Sequence, residues 1–298
     1  MSLEFCGLRL AHPIINGSGT FDAIAARGAF GAALDTAFPF AAYVSKTITL
    51  EPRAGNPPPR LWESPAGLVN SIGLPNKGLA GYLAEDLPQL GGYLCDPLAS
   101  ADGASHRVPV ITNVMGSTGE ELRALVEACD DPETIAAIEL NVSCPNVRTG
   151  LDIGADPAQL ETVVAGLRES TGKPLIVKLT PNAADVPACA QAAEAGGADA
   201  VSLINTLRAM ALAPGRAGAR PWLGGGTGGL SGPAIRPVAL AQVAAVAARV
   251  AIPVVGMGGV QSAAHAREML DVGATLVAVG TESFRDPAAG VRIAAGLL

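Results

Sequence analysis

The sequence predicts an α/β fold in which eight parallel strands alternate with helices and close into a barrel. Short apolar runs recur along the chain with alanine-rich stretches between them, which is the pattern of repeated β-α units. Eight such units are the number that closes a (β/α)8, or TIM, barrel. The eight apolar runs lie at 13–16, 41–46, 108–113, 136–141, 174–179, 200–205, 252–257 and 275–280.

Helical segments follow most of these runs and are expected on the outside of the barrel. They are predicted at 120–129, 157–170, 186–195, 235–249 and 263–270. A doubly wound sheet also alternates strands with helices, but the Gly-x-Gly-x-x-Gly turn that usually follows its first strand is absent. The barrel is therefore the preferred fold, and residues 1–298 are interpreted as one domain.

Composition and charge argue against several classes of protein. Of the 298 residues, 49% are hydrophobic and 16% charged, which suits a large buried core rather than disorder. The formal net charge is -7, and no run of Lys or Arg resembles a nucleic-acid-binding surface. No apolar stretch approaches the length of a membrane span, and no basic-then-apolar signal opens the chain. We expect a cytoplasmic protein that binds neither nucleic acid nor membrane.

Cysteine and histidine spacing argues against a metal centre. The five cysteines are widely separated, without a C-x-x-C pair, and the three histidines are far apart in sequence. Neither a disulfide framework nor zinc or iron–sulfur ligands are expected from this pattern. Cys129 and Cys189 lie among alanines and are interpreted as small core residues.

Polar residues end most of the predicted strands, where barrels of this type place their chemistry. One such residue alone can be a turn cap or a solvated side chain. Their recurrence at strand after strand predicts a site at the barrel mouth. In chain order the strand ends carry 16–20 (NGSGT), 45–47 (SKT), Asn113, Asn141, Lys178, 205–206 (NT), 256–259 (GMGG) and 280–281 (GT).

The segment 139–146, ELNVSCPN, is the most informative of these strand ends. Cys144, beside proline and between amide side chains, is suited to act as a nucleophile or general base. Asn141 and Asn146 are suited to hold a flat polar ligand. For this segment alone, a loop with a chance cysteine is an equally good interpretation, and only the rest of the chain separates the two.

Glycine-rich strand ends predict an anion site. Backbone N–H groups free of side chains can approach a phosphate closely, and barrels often bind phosphate after strands seven and eight. A third glycine-rich piece, 224–232 (GGGTGGLSG), precedes a predicted helix and is expected to add further amides at the same rim. Each piece alone can be a flexible turn, but the three together favour a phosphorylated cofactor. The candidate residues on the last two strands are Gly256, Gly258, Gly259, Gly280 and Thr281.

Lys46 and Lys178 narrow the choice of cofactor. A lysine in a barrel mouth places a compact positive charge where negative charge develops during a reaction. Reduced flavin carries such charge, and pyridoxal phosphate also uses a barrel lysine, so the lysines leave both cofactors open. The thiol among asparagines favours flavin, because a planar imide-like substrate needs in-plane amide partners and a proton acceptor.

Nearly the whole chain resembles the class 1 dihydroorotate dehydrogenases, FMN enzymes that oxidise (S)-dihydroorotate to orotate in pyrimidine biosynthesis. The resemblance implies an FMN-binding barrel with Cys144 as base, because class 1 members use cysteine where class 2 members use serine. The matching pieces are 16–19 (NGSG), 45–47 (SKT), 55–57 (GNP), 70–76 (NSIGLPN), 141–146 (NVSCPN), 176–179 (IVKL), 205–206 (NT), 228–234 (GGLSGPA) and 256–259 (GMGG).

The resemblance also implies roles for individual residues. Cys144 would remove a proton from C5 of dihydroorotate while hydride passes from C6 to flavin N5, and Lys46 would lie between the flavin and the substrate carboxylate. The implied substrate contacts are Lys46, Asn70, Ile72, Gly73, Leu74, Asn141, Asn146, Asn205 and Thr206. The implied FMN contacts are Ser18, Gly19, Lys46, Thr47, Asn113, Asn141, Lys178, Ile204, Ser231, Gly232, Gly258, Gly259, Gly280 and Thr281.

Two further pieces resemble class 1B rather than class 1A. They are 202–206 (SLINT) and 227–237 (TGGLSGPAIRP). Class 1B implies that electrons pass to NAD through a separate subunit carrying FAD and a 2Fe-2S cluster, whereas class 1A members are self-contained homodimers that use fumarate. The resemblance to the family also implies a homodimer for this chain. Gly17, 221–222 (PW) and 224–226 (GGG) depart from the family pattern, which leaves the electron acceptor open.

Two other kinds of function are weighed beside this one. The first is a flavin reductase acting on another uracil-like ring, such as a dihydropyrimidine or dihydrouridine enzyme. A dihydrouridine enzyme needs a basic RNA-binding surface, which the net charge of -7 opposes. The second is a barrel that binds a phosphorylated ligand without catalysis. Such a barrel has no need of Cys144 or Lys178, and both are present.

Overall fold

A computed structural model describes residues 3–31, 34, 38–94, 108–142, 153–213, 215 and 220–297. Two of the predicted site residues, Cys144 and Asn146, lie outside the described residues. Within the described residues the strands are β1 (Leu3–Phe5), β2 (Leu8–Leu10), β3 (Ile14–Asn16), β4 (Tyr43–Val44), β5 (Leu61–Ser64), β6 (Gly67–Asn70), β7 (Val110–Val114), β8 (Ile135–Asn141), β9 (Leu175–Lys178), β10 (Ala200–Leu203), β11 (Leu207–Ala209), β12 (Gly228–Ser231), β13 (Val254–Met257) and β14 (Leu276–Val279).

Eight parallel strands form the barrel, each beside the next barrel strand along the chain. The order is β3-β14-β13-β10-β9-β8-β7-β4, and every neighbouring pair in this series is parallel. All eight lie within or overlap the apolar runs that the sequence analysis identified. The prediction of a (β/α)8 barrel is therefore confirmed.

The two ends of this series, β3 and β4, meet through a side chain. Asn16 Oδ1 accepts a hydrogen bond from Val44 N at 2.8 Å, and Asn16 Nδ2 donates to Val44 O at 2.8 Å. Below them, Ala41 N donates to Ile14 O at 2.9 Å. Asn16 is fully buried and does not line the cavity described below. It closes the barrel, so its place among the polar strand ends reflects structure rather than ligand binding.

Helices cover the outside of the barrel, and the five predicted helices are all present with ends that differ by a few residues. Several begin at a residue whose side-chain oxygen accepts from a backbone N–H of the first turn, as Thr118, Asp156, Asp185 and Ser262 do. The described helices are α1 (Ala23–Phe30), α2 (Gly78–Gly81), α3 (Leu87–Leu94), α4 (Gly119–Asp130), α5 (Pro157–Arg168), α6 (Val186–Ala195), α7 (Arg236–Ala247), α8 (Ala263–Asp271) and α9 (Ala289–Ala295). Among the described residues, no helix combines the length and apolar character needed to cross a membrane.

The hairpin of β1 and β2 closes the amino-terminal end of the barrel. Its buried residues Phe5 and Leu10 pack with inward-facing barrel residues such as Ile176. The two turn residues, Cys6 and Gly7, have φ angles of 48° and 78°, as a two-residue turn of the mirror-image type requires. This end is filled by apolar side chains, and the cavity described below lies at the carboxyl ends of the strands.

A second, antiparallel sheet lies over the carboxyl ends of the barrel strands. We call it the roof sheet; its strand order is β11-β12-β6-β5. It is built from two insertions, one between β4 and β7 and one between β10 and β13, which pair where Asn70 lies opposite Gly229. The sequence analysis identified parts of both insertions through matching pieces but did not predict this sheet.

Candidate active site at the barrel mouth

A cavity of about 670 Å³ lies between the barrel mouth and the roof sheet. This volume is within the usual range for small-molecule sites. The structure brings most of the predicted site residues together around it. Those that line the cavity are Ser18, Gly19, Lys46, Thr47, Asn70, Ile72, Gly73, Leu74, Asn141, Lys178, Ile204, Asn205, Thr206, Ser231, Gly232, Gly258, Gly259, Gly280 and Thr281.

Amide and hydroxyl side chains from several strands converge on one part of the cavity wall. Asn205 Nδ2 donates to Asn141 Oδ1, and Asn141 Nδ2 donates to Thr47 Oγ1, each at 3.4 Å. The roof sheet contributes Asn70, whose Nδ2 donates to Gly229 O at 3.2 Å. Bonds of this length are weak, so a ligand with better-placed donors and acceptors can replace them. The wall is suited to a planar ligand with carbonyl and N–H groups at its edge.

Two lysines bring positive charge to the cavity. Lys178 is the last residue of β9 and is only 6% exposed. Lys46 follows β4, and its amine lies against the backbone of Gly19, where a Cβ atom would be 3.0 Å from Lys46 Nζ. Ser18 Oγ donates to Ser45 O at 2.7 Å, which fixes the backbone just before Lys46. These cations favour an anionic ligand, or one that gains negative charge on reduction.

The loop after β6 presents its backbone to the cavity. Gly73 and Leu74 have φ angles of 75° and 54°, and a left-handed conformation is uncommon for a residue such as leucine. Asn56 holds this loop: its backbone N donates to Ile72 O at 3.0 Å, and its Nδ2 donates to Ser71 Oγ at 3.0 Å. The sequence analysis did not single out Asn56, whose one signal was its place in the 55–57 piece.

Glycines form a cradle at the opposite side of the cavity. Gly258 and Gly259 follow β13 with φ angles of 133° and 69°, and a Cβ atom at Gly259 would be 2.8 Å from Gly232 O. Thr281 Oγ1 donates to Ser231 Oγ at 2.8 Å, which links the two sides of the cradle. At Gly280 the nearest atom to an added Cβ would be 3.8 Å away, so protein packing leaves this space to the cavity. This cradle fits a phosphate group.

The glycine-rich piece 224–232 was expected to add backbone amides at the cavity rim, and only its end does so. Its end, Ser231 and Gly232, reaches the cavity, but residues 224–229 do not line it. Instead these glycines pack against neighbouring segments. An added Cβ would be 2.3 Å from Ser71 Oγ at Gly225 and 1.9 Å from Thr206 Oγ1 at Gly229. Only the end of the piece therefore lies where it can meet an anion at the rim. Four glycines before it occupy positions where a Cβ atom would clash with a neighbouring segment: Gly224, Gly225, Gly228 and Gly229.

Asn113 lies beneath the cavity floor rather than on its surface. It is fully buried, and its Nδ2 donates to Glu139 Oε2 at 2.5 Å. Ser202 Oγ donates to the other carboxylate oxygen, Glu139 Oε1, at 2.7 Å. The sequence analysis did not identify Glu139 as functional, although it begins the 139–146 segment. Its position two residues before Asn141 on one strand was the available signal, because alternate strand residues face the same side.

Two thiols away from the cavity, those of Cys6 and Cys129, are held in the protonated form by burial. Burial, with a smaller contribution from the charge of Asp199, raises the pKa of Cys6 to about 11. Burial raises the pKa of Cys129 to about 12, against the opposing charge of Lys173. Cys129 and Cys189 are buried, which confirms their interpretation as core residues.

The fold and the cavity define a (β/α)8-barrel enzyme with paired lysines, convergent amides and a glycine cradle at the carboxyl ends of its strands. The chain belongs to the dihydroorotate dehydrogenase family, whose model matches residues 1–298. Members of this family are flavin-dependent. The resemblance described from the sequence is therefore confirmed.

Individual relatives cover the chain along its full length. The catalytic subunit of dihydroorotate dehydrogenase B (NAD(+)) from Geotalea daltonii is 44% identical over 298 residues, which are 100% of this chain and 92% of the relative. The protein of the same description from Trichlorobacter lovleyi is also 44% identical, with the same coverage. That from Desulforudis audaxviator is 43% identical over 297 residues, with 99% and 91% coverage.

Proposed function

We propose that this chain is the catalytic subunit of an NAD-linked dihydroorotate dehydrogenase, which oxidises (S)-dihydroorotate to orotate with FMN as its cofactor. The observation that carries the proposal is the convergence of Lys46, Asn70, Asn141, Lys178 and Asn205 on one cavity with a glycine cradle. The relatives named as NAD(+)-linked catalytic subunits support the same assignment.

FMN fits the cavity in size, charge and hydrogen-bonding capacity. Gly258, Gly259 and Thr281, which line the cavity, would hold its phosphate through backbone N–H groups and the threonine hydroxyl. Lys178 would lie beside the edge of the ring that gains negative charge. When bound, the flavin supplies the hydride acceptor that the protein side chains lack.

Dihydroorotate would lie against the amide wall. Lys46 is suited to the substrate carboxylate, while Asn141 and Asn205 are suited to the carbonyl and N–H groups of the ring. The backbone between Ile72 and Leu74 is held in place by Asn56 and would contact the carboxylate end. Because the same residues hold the substrate in one plane, they would also orient its C6–H toward the flavin.

Cys144 would serve as the general base. Orotate forms when dihydroorotate loses a proton from C5 and a hydride from C6. The C6–H electron pair leaves with the hydride, and the C5–H pair becomes the second bond between C5 and C6. The thiolate of Cys144 would take the proton, and Asn146 beside it would contact the substrate. These two roles rest on the 141–146 piece and on the position of Asn141 at the cavity.

The electrons would leave through a partner protein. The relatives are named as catalytic subunits, which indicates a second subunit in those enzymes. By the same resemblance we propose a homodimer of this chain, with a partner subunit that carries FAD and a 2Fe-2S cluster and reduces NAD. The fumarate-using alternative differs in needing no partner.

The test begins with the purified chain and its visible spectrum. A flavin spectrum that bleaches when dihydroorotate is added without oxygen would support both cofactor and substrate. Dihydrouracil is the matched competitor, because it lacks the carboxylate that Lys46 would bind, and it should bleach the flavin far more slowly. A yellow protein that ignores dihydroorotate would contradict the substrate, and protein that binds no FMN would contradict the cofactor. Turnover with fumarate alone would contradict the NAD-linked assignment.

A further inference from the structure

A polar layer lies inside the barrel directly beneath the cavity. Barrel interiors of this fold are normally filled by branched apolar side chains. Here Ser45, Asn113, Glu139 and Ser202 come from or adjoin four different strands, and Ser45 Oγ accepts from Asn113 N at 3.0 Å. Glu139 is 4% exposed. A buried carboxylate is costly unless other groups compensate its charge, so its presence requires a cause.

Strand register places Glu139, on the strand next to that of Lys178, opposite Ile176 and two residues nearer the amino-terminal end of the barrel. On β9, Lys178 lies directly opposite Asn141 of β8 on one side and opposite Ser202 of β10 on the other. The Ser202 hydroxyl nevertheless reaches Glu139 Oε1 at 2.7 Å. To meet it, the Glu139 side chain must extend from β8 across the inner face of β9, where Lys178 begins. The buried carboxylate and the buried ammonium group therefore belong to adjoining layers of one barrel interior.

Glu139 also sets the orientation of Asn113. A carboxylate only accepts hydrogen bonds, so it binds the Nδ2 end of the amide and leaves Oδ1 as the free acceptor. Among the described residues, Asn113 Oδ1 is buried without a hydrogen-bond partner. The carboxylate thus places a negative charge beneath the cavity and determines that the free end of the Asn113 amide is its hydrogen-bond acceptor.

We propose that Glu139 is a positioning residue of the flavin site, which balances the charge of Lys178 and fixes Asn113 from beneath the cavity. The proposal rests on the FMN site proposed above. Because the Lys178 charge favours the reduced flavin, the opposing charge of Glu139 lowers the flavin reduction potential. Glu139 makes no contact with the cavity surface and acts through these two neighbours.

The test compares the FMN-loaded wild type with Glu139→Gln, Glu139→Asp and Glu161→Gln. Glu161 is exposed on α5, so its substitution makes the same change in charge far from the flavin. The flavin reduction potential is measured by equilibration with a reference dye. Glu139→Gln should shift the equilibrium toward reduced flavin by about tenfold, as expected for the loss of one charge within several ångströms in a partly buried site. Glu139→Asp should remain near the wild type, as should Glu161→Gln.

Equal potentials in the wild type and Glu139→Gln would overturn the proposal, while flavin binding and bleaching by dihydroorotate in the wild type would still support the proposed function. If Glu139→Gln does not fold, the double variant Glu139→Gln/Lys178→Gln replaces it. The double variant should fold in the presence of FMN, because it leaves no unbalanced buried charge. If the double variant also failed to fold, Glu139 would be required for packing rather than for balancing Lys178.

Discussion

Asn16 and Val44 close the barrel through two hydrogen bonds of 2.8 Å, one accepted and one donated by the same side-chain amide. The Asn16 amide joins β3 to β4, as backbone hydrogen bonds join the other neighbouring barrel strands. A carboxamide is the group that can do this, because it offers one donor and one acceptor side by side.

Asn16→Ala should therefore destabilise the protein strongly. It leaves Val44 N–H and C=O buried without partners, and each unsatisfied group costs on the order of 1–3 kcal/mol. Urea denaturation should show a loss of about 2–5 kcal/mol in the free energy of unfolding. Gln89→Ala is the control, since this exposed amide on α3 should change stability by less than about 0.5 kcal/mol. Equal stability of Asn16→Ala and the control would show that β3 and β4 do not need the amide.

Cys144→Ser should slow flavin reduction by dihydroorotate by about 100-fold or more, because general bases contribute on the order of 10²–10⁴ to rate. A serine hydroxyl is a far weaker base than a thiolate. Cys6→Ser is the matched control, since it removes a thiol at the other end of the barrel. Anaerobic rapid mixing that follows flavin absorbance measures both rates. Full activity of Cys144→Ser would remove this residue from the mechanism.

Wild-type flavin reduction should become faster as pH rises from about 6 toward about 8.5, the usual pKa of a thiol. The thiolate form of Cys144 is the base, and its fraction grows over this range. The same rapid-mixing measurement, made across pH with saturating dihydroorotate, follows the change. A rate that stays constant from pH 6 to 10 would contradict a thiol base with an ordinary pKa.

The free energy of unfolding should fall at alkaline pH, whereas the rate of flavin reduction should rise. Burial raises the pKa of Cys6 to about 11 and that of Cys129 to about 12, so the folded protein keeps protons that the unfolded chain releases above about 8.5. Burial also raises the pKa values of Tyr43 and Tyr82. The contribution of these groups is complete below the unfolded pKa and is lost as pH rises through the folded pKa. Urea denaturation should give a falling free energy of unfolding between about pH 9 and 11, and a rising one would contradict this account.

Gly225→Ala should impair substrate binding more than the chemical step. The added Cβ would lie 2.3 Å from Ser71 Oγ and 2.7 Å from Asn56 Nδ2, so the loop that carries Ile72 must shift. We expect KM for dihydroorotate to rise by about tenfold with a smaller change in kcat, as for the loss of one well-placed contact. Gly119→Ala is the control, since an added Cβ there meets nothing within 4 Å. Unchanged kinetics in Gly225→Ala would show that the loop tolerates the shift.

The sequence was sufficient for the barrel because its signals are local. Each buried strand is a short apolar run and each outer helix an alanine-rich one, and their alternation has few solutions. The polar strand ends could also be predicted to meet, because parallel strands bring their carboxyl ends together. This assigned to one barrel mouth the residues Lys46, Asn141, Lys178 and Asn205. The roof sheet was not predicted, because its strands are short and its two halves, from different insertions, pair across 159 residues of chain, as Asn70 with Gly229.

The sequence by itself determined the fold class, the family and the set of polar residues at the barrel mouth. Only the tertiary structure decided what each of them touches. Asn16 serves barrel closure, most of the 224–229 glycines serve close packing, and Asn113 lies beneath the cavity bound to Glu139. These assignments depend on distances between side chains from different strands, and a residue's type limits the bonds it can form without specifying its partner.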